Sequence, residues 1–194
     1  MTLTLPTLLT WLRIVLIPLF VGVFYFDESW VSVGHQNLVA TLIFVAAGLT
    51  DWLDGWLARR LNQTSAFGAF LDPVADKLMV AAALIILLQL GRVDAIIALI
   101  MIGRDIAISA LREWMAQLGR SKSLAVSFLG KLKTATQMVA IPLLLYNDSL
   151  GNFFPQEIGT ILIKLAAILT LVSMGYYLKA AYDSNTQSRT GGGS

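Results

Sequence analysis

The sequence predicts an all-α membrane protein with six transmembrane helices in one bundle, and composition is the first reason. Of the 194 residues, 57% are hydrophobic and 13% are charged. The mean hydropathy of +0.73 is too high for an ordinary soluble domain. The second reason is that the apolar residues form long runs separated by short polar breaks, which is the pattern of helices that cross a bilayer.

Six segments have the length that a helix needs to cross a bilayer, and they lie near residues 5–26, 36–60, 68–90, 93–117, 124–146 and 156–182. The breaks contain turn-forming residues, including Gly91 and the stretch from Asn147 to Pro155. Because no break is long enough for a second domain, residues 1–187 are predicted to form one membrane domain. Residues 188–194 are interpreted as a flexible tail or a remnant of expression.

The first segment is interpreted as a retained helix, because it lacks the basic start and the small-residue cleavage site of a signal peptide. If the six segments alternate in direction, most basic residues of the breaks and helix ends fall on one side, which is then cytoplasmic. These residues are Arg59, Arg60, Arg120, Lys122, Lys179 and Arg189. Both termini are therefore expected in the cytoplasm.

Charge and residue usage exclude several classes of function. A net charge of +2 is too small to indicate nucleic-acid binding. The chain has no cysteine, which excludes thiolate and iron–sulfur chemistry. Its single histidine, His35, lies in a polar break, so any proton transfer is expected to use a carboxylate, a lysine or water.

Four aspartates at the edge of the hydrocarbon are the most informative feature. Asp51 and Asp54 are three residues apart on the second segment, and Asp72 and Asp76 are four apart on the third, so each pair shares a helix face. The short connection makes the two helices neighbours, and all four carboxylates are expected around one polar cavity. Pairing with Arg59, Arg60 and Lys77 is the alternative, but it explains one aspartate better than four.

This set of carboxylates predicts a metal site. Hard oxygen ligands without histidine or cysteine favour magnesium, manganese or calcium over zinc. Two divalent ions would balance four clustered carboxylates that otherwise repel each other. A site with two metals is a common arrangement for displacement at phosphorus.

Small residues near the aspartates predict space for a ligand. Gly48, Gly55 and Ala58 lie close to the Asp51 face, and Gly68 precedes Asp72 by one turn. A nucleotide could lie against the helix backbone there, with Arg59 placed for its phosphates. Close helix packing is the alternative, and for Gly48 it is equally well supported.

The chain resembles the CDP-alcohol phosphotransferase family, whose signature is D-x2-D-G-x2-A-R-x8-G-x3-D-x3-D. All eight fixed positions match, at Asp51, Asp54, Gly55, Ala58, Arg59, Gly68, Asp72 and Asp76. The resemblance implies six spans, an active site at the cytoplasmic side and frequent homodimers.

The resemblance also implies roles for the signature residues. The four aspartates would hold two Mg²⁺ or Mn²⁺ ions, and Asp76 would also be the general base. Contacts with the CDP group would come from Asp51, Gly55, Ala58, Arg59 and Gly68. From the residues alone, lysine or a water molecule remains possible as the base.

Basic residues outside the signature suggest that the acceptor alcohol is anionic. They are Arg104 and Arg112 on the fourth segment and Lys131 and Lys133 on the fifth. The alternative is that they reach toward the cytoplasmic interface, with Asp105 and Glu113 as partners. Arg13 on the first segment either lines the cavity or anchors the helix at the interface.

Three further segments resemble bacterial members of the family that use sn-glycerol 3-phosphate, namely residues 6–10, 109–116 and 130–134. This implies transfer of the phosphatidyl group from CDP-diacylglycerol to that acceptor in the bacterial cytoplasmic membrane, with CMP as the second product. Related enzymes that use inositol phosphate, serine or phosphatidylglycerol are the nearer alternative. A divalent-cation transporter is the more distant one.

Overall fold

Apolar runs form helices because a backbone in hydrocarbon must satisfy its hydrogen bonds within the chain. The computed structural model describes residues 5–61, 66–117, 128–149, 151 and 153–190. Its helices are α1 (Leu5–Gly22), a 3-10 turn (Val23–Tyr25), α2 (Val33–Leu61), α3 (Ala66–Gln89), α4 (Ala95–Gln117), α5 (Phe128–Tyr146) and α6 (Pro155–Thr190). The part of the chain described contains no strand, which confirms the all-α prediction.

Each predicted segment has a helical counterpart, with differences at the ends. The end of the first segment is a 3-10 turn. The last helix continues to Thr190 and so includes the first three residues of the predicted tail. The predicted start of the fifth segment lies outside the described residues, and α5 is described from Phe128.

Three described helical stretches are long and apolar enough to cross a membrane, namely Leu8–Tyr25, Val33–Leu53 and Pro155–Lys179. Charged residues interrupt the other three helices. They are Asp72, Asp76 and Lys77 on α3, Arg104, Asp105, Arg112 and Glu113 on α4, and Lys131 and Lys133 on α5. The helices that break the apolar pattern are thus also helices with predicted site residues.

The contacts divide the chain into two compact units. Unit 1 consists of residues 1–93 and 140–160. In it α1 packs against α2 and α3, and α2 also contacts α3. Ala40, Phe44 and Ala47 are buried on α2 at the spacing of one helix face, and the rings of Phe20 and Phe44 lie 6.4 Å apart.

Gly91 and Arg92 follow the end of α3 and connect it to the end of α5. Gly91 has a φ of 68°, and the amide of Arg92 bonds the Leu87 carbonyl at 2.8 Å, as in a glycine-terminated helix. The Arg92 guanidinium then donates to the carbonyls of Leu144 and Leu145 at the end of α5. Burial lowers the pKa of Arg92, and the charge of Asp148 opposes that shift.

Unit 2 consists of residues 94–139 and 161–194. Ile108 and Met115 of α4 pack with Tyr177 of α6, and Leu111 and Met174 cover them. Large apolar side chains such as Leu99 on α4 and Ile161 on α6 are exposed, which is what a surface in contact with lipid requires.

Candidate active site

The predicted carboxylates lie on helices that contact each other. Asp51 lies on α2, Asp72 and Asp76 lie on α3, and α2 and α3 pack together, as the short connection predicted. The Asp51 side chain is 43% exposed, and Asp72 and Asp76 are partly buried. Pro73 follows Asp72 inside α3 and removes one backbone hydrogen bond of that helix.

The first helix contacts both of the other two through polar side chains. Arg13 of α1 is buried, with 1% of its surface exposed, and its Nη1 lies 2.7 Å from Oδ1 of Asp51. The Thr10 hydroxyl donates to Oδ1 of Asp72 at 2.5 Å. The burial of Arg13 argues against the interpretation as an interfacial anchor, since an anchor would be exposed.

Sequence reasoning missed the role of Thr10, which it used only as part of a similar segment. A signal was present, because Thr10 and Arg13 are polar residues three apart on an apolar helix. Such a pair shares a face and must find polar partners when the face is buried. Their partners could not be named from this spacing.

Part of the signature lies where side chains are not described. Residues 54–59 continue α2, but the side chains of Asp54, Ala58 and Arg59 and the surroundings of Gly55 lie outside the described part. Gly68 is buried. A Cβ at Gly48 would meet no described atom within 4 Å, so nothing described supports close helix packing at this glycine.

The described part of the chain does not show the predicted metal site. Asp51, Asp72 and Asp76 are described, yet no group of three His, Cys, Asp or Glu residues among the described side chains is placed to hold a metal ion. The fourth predicted ligand, Asp54, is not described. Arg13 and Thr10 each contact Oδ1 of an aspartate. The second oxygen of Asp51 and Asp72 has no partner within the described part, so hard-oxygen ligation is compatible with these contacts.

In unit 2, two of the predicted acceptor-binding cations meet at one carboxylate. Lys133 of α5 is 3% exposed and donates to both oxygens of Asp105, at 2.9 and 3.1 Å. Arg104 donates to the same Asp105 at 3.0 Å and to the Ser173 hydroxyl at 3.2 Å. Lys133 therefore does not reach out to the interface, although Asp105 is the partner that the alternative named.

Two arginines of unit 2 share an aromatic ring. The guanidinium carbons of Arg104 and Arg112 lie 5.8 and 5.5 Å from the ring centre of Tyr177, within the range of cation–π attraction. Arg112 also donates to the Tyr177 hydroxyl at 3.3 Å. Tyr177 was missed because α6 contains three tyrosines, Tyr176, Tyr177 and Tyr182, and the sequence does not indicate which of them lies beside the arginines.

The structure separates the two lysines of α5. Lys131 is exposed, whereas Lys133 is buried beside Asp105. Residues two apart on a helix do not share a face, so only Lys133 joins the group of Arg104, Asp105 and Tyr177. A phosphate contact from Lys131 stays a prediction.

Comparison with known proteins adds an independent finding. Residues 3–172 match the family model described as CDP-alcohol phosphatidyltransferase. This chain is 49% identical over 183 residues to two proteins named CDP-diacylglycerol–glycerol-3-phosphate 3-phosphatidyltransferase. One is from Escherichia coli (strain K12) and the other from Salmonella typhimurium (strain LT2). The alignment covers 93% of this chain and 96% of each relative. The Shigella flexneri serotype 5b protein of that name matches to the same extent.

Proposed function

We infer that this chain, which belongs to the CDP-alcohol phosphatidyltransferase family, transfers the phosphatidyl group from CDP-diacylglycerol to sn-glycerol 3-phosphate. The products are phosphatidylglycerol phosphate and CMP, in phospholipid biosynthesis. The observation that carries this proposal is the 49% identity, over 93% of the chain, to relatives named for that reaction. Membership of a transferase family leaves the transporter interpretation without support.

The aspartates would supply the metal ligands. Asp51, Asp54, Asp72 and Asp76 are proposed to hold two Mg²⁺ or Mn²⁺ ions, since hard oxygen donors suit these cations. Bound divalent ions would neutralise the diphosphate and stabilise displacement at phosphorus. The partial burial of Asp72 and Asp76 and the contacts of Asp51 and Asp72 with α1 support this assignment.

The CDP group is proposed to contact Asp51, Gly55, Ala58, Arg59 and Gly68. Gly55, Ala58 and Gly68 would leave space beside the helix backbone, and Arg59 would bind a phosphate. The space beside Gly48 is also open. Gly48 lies two turns before Gly55 on α2, so the same argument applies there.

The acceptor would bind through its phosphate to the cations of α4 and α5, that is, to Arg104, Arg112 and Lys133, with Lys131 as a further candidate. Guanidinium groups held on Tyr177 are preorganised for an anion, which lowers the cost of binding. Asp105 contacts Lys133 and Arg104 and keeps both cations paired without a ligand.

Asp76 is proposed as the general base. Its carboxylate would take the proton of the acceptor hydroxyl as that oxygen attacks the phosphorus bearing the diacylglycerol group. The bond from this phosphorus to the bridging oxygen then breaks, and CMP leaves with the bridging oxygen.

The three candidate spans and the exposed apolar side chains support a place in the bacterial cytoplasmic membrane. We propose that α1 to α6 form six spans in one bundle, with both termini and the active site at the cytoplasmic side. The basic residues at the predicted cytoplasmic ends support this orientation. A homodimer is proposed from the family resemblance alone.

The test is CMP release from CDP-diacylglycerol by the purified protein in detergent with Mg²⁺ or Mn²⁺. Glycerol 3-phosphate is compared with inositol phosphate, serine, phosphatidylglycerol and glycerol. Turnover only with glycerol 3-phosphate supports the proposal, and turnover only with another alcohol contradicts the acceptor.

Two variants complete this experiment. Asp76→Asn removes the proposed base, and a loss of about 10²–10⁴-fold in turnover is expected. Asp94→Asn is the matched control, because Asp94 accepts a bond from the amide of Ile96 at the start of α4 and asparagine caps a helix equally well. Equal turnover of Asp76→Asn and the wild type would contradict the assignment of the base.

A further inference from the structure

One face of α1 contacts both helices that carry the proposed metal ligands. Thr10 and Arg13 are three residues apart, and each is 1% exposed. Arg13 contacts Asp51 on α2, and Thr10 contacts Asp72 on α3. Each of the two aspartate pairs therefore has one member that is held by a side chain of α1.

An arginine buried to this extent in an apolar helix needs an explanation. Burying a guanidinium is costly, and the cost is offset only by close and well-oriented partners. Arg13 could reach water if it served only to anchor α1, since long basic side chains extend toward the interface. Its Nη1 instead lies at ion-pair distance, 2.7 Å, from one oxygen of a proposed ligand, Oδ1 of Asp51.

The contacts leave the other carboxylate oxygen available. Arg13 and Thr10 both approach Oδ1, so Oδ2 of Asp51 and Asp72 can face a metal ion. Side chains that contact the other oxygen of a metal-binding carboxylate fix the orientation of that carboxylate and change its affinity for the metal.

We propose that Thr10 and Arg13 are positioning residues of the metal site, and that α1 orients Asp51 and Asp72 for divalent cations. This rests on the proposed function, because it requires these aspartates to bind metal. The proposal assigns a role in the metal site to α1, which lies outside the signature.

Substitutions of Arg13 and Thr10 separate two effects on metal binding, namely the orientation of the aspartates and the repulsion between positive charges. Removal of the positive charge of Arg13 would by itself tighten binding of a divalent cation, since like charges repel. Loss of orientation has the opposite effect. Thr10 is neutral, so its removal changes orientation alone.

The experiment measures Mn²⁺ binding to the full-length protein in detergent, from the electron paramagnetic resonance signal of free Mn²⁺, without substrate. Thr10→Val keeps the shape of the side chain and removes the donor, and it is expected to weaken Mn²⁺ binding by about 10–100-fold. Thr10→Ser keeps the hydroxyl and is expected to bind as the wild type does. Arg13→Gln is expected to bind more weakly, despite the lost charge.

Thr41→Val is the matched control, because Thr41 lies on α2 and donates only to the Asn37 carbonyl of its own helix among the described contacts. It should bind Mn²⁺ as the wild type does. The melting temperature without metal verifies that each variant is folded, and Thr10→Val keeps the test decisive if Arg13→Gln does not fold.

Wild-type affinity in folded Thr10→Val, or tighter binding by Arg13→Gln, overturns the positioning role while the metal site stands. Equal loss in Thr10→Ser and Thr10→Val also overturns it, because the hydroxyl would then not matter. No Mn²⁺ binding by the wild type, or no loss in Asp72→Asn, overturns the metal site itself and this inference with it.

Discussion

The two units pair their charged side chains in opposite ways. In unit 1, Asp51 and Asp72 are held by one guanidinium and one neutral hydroxyl from α1. In unit 2, Arg104 and Lys133 share the single carboxylate of Asp105. In the described contacts, two carboxylates thus meet side chains of α1 in unit 1, whereas two cations meet one carboxylate in unit 2.

The difference indicates what each region can bind. Charge in apolar surroundings is costly unless it is paired, so a cluster of like charges is a candidate site for a ligand of the opposite charge. On the proposed function, a divalent cation would bind at the carboxylates of unit 1, and an anionic phosphate would bind at the cations of unit 2. The internal partners keep each set of side chains in place before the ligand arrives.

The largest expected effect on turnover comes from removing a carboxylate of unit 1. Asp72→Asn keeps the acceptor for the Thr10 hydroxyl but removes the charge, and turnover is expected to fall by about 10²–10³-fold. The KM for glycerol 3-phosphate should stay near its wild-type value. CMP release over a range of acceptor concentrations measures both, and a change confined to KM would contradict the division of roles.

The next effect belongs to unit 2. Lys133→Gln can still donate to Asp105 but lacks the charge, and the KM for glycerol 3-phosphate is expected to rise by about 10–100-fold, which is the effect of one charged hydrogen bond. Lys131→Gln is the comparison variant, because Lys131 is exposed on the same helix and is the other candidate phosphate contact of α5. An equal rise in both variants would show that burial beside Asp105 does not select the phosphate contact.

A smaller effect tests the aromatic ring of unit 2. Tyr177→Phe keeps the ring under Arg104 and Arg112 and removes the hydroxyl that Arg112 contacts. Loss of this bond is expected to raise the KM for glycerol 3-phosphate about 5-fold, and Tyr177→Leu should raise it further because the cation–π contacts are lost as well. An unchanged KM in both variants would remove Tyr177 from the acceptor site.

The smallest effect on catalysis is expected from Gly159→Ala, which removes no charged side chain. A Cβ at Gly159 would lie 2.8 Å from Cγ of Leu144, so Gly159→Ala should lower the stability of unit 1 by about 1–3 kcal/mol. The KM for glycerol 3-phosphate should not change. Thermal unfolding measures the effect.

Gly175→Ala is the control on the same helix, since a Cβ there meets nothing within 4 Å. Alanine at this position should stabilise the helix by about 0.5–1 kcal/mol. If Gly159→Ala instead reduced turnover as much as Asp72→Asn, loosening of unit 1 and not lost charge would explain both.

Much of the local structure could be predicted. The helix positions follow from apolar run length and turn residues, because each depends on neighbours along the chain. Gly91 ends α3 as its type suggests. The ends of α1 and α6 were less predictable, since a 3-10 turn at Val23–Tyr25 and a continuation to Thr190 produce no distinct pattern.

The sequence by itself determined the helical class, the family and the order and spacing of the aspartates, because these depend on composition and on residues close together in the chain. Only the tertiary structure decided that Arg13 holds Asp51 and that Lys133, not Lys131, lies beside Asp105. Thr10 and Asp72 are 62 residues apart, and Arg112 and Tyr177 are 65 apart. Such partners depend on which helix faces meet, and burial then requires a polar side chain to bond whatever polar group the packing places opposite it.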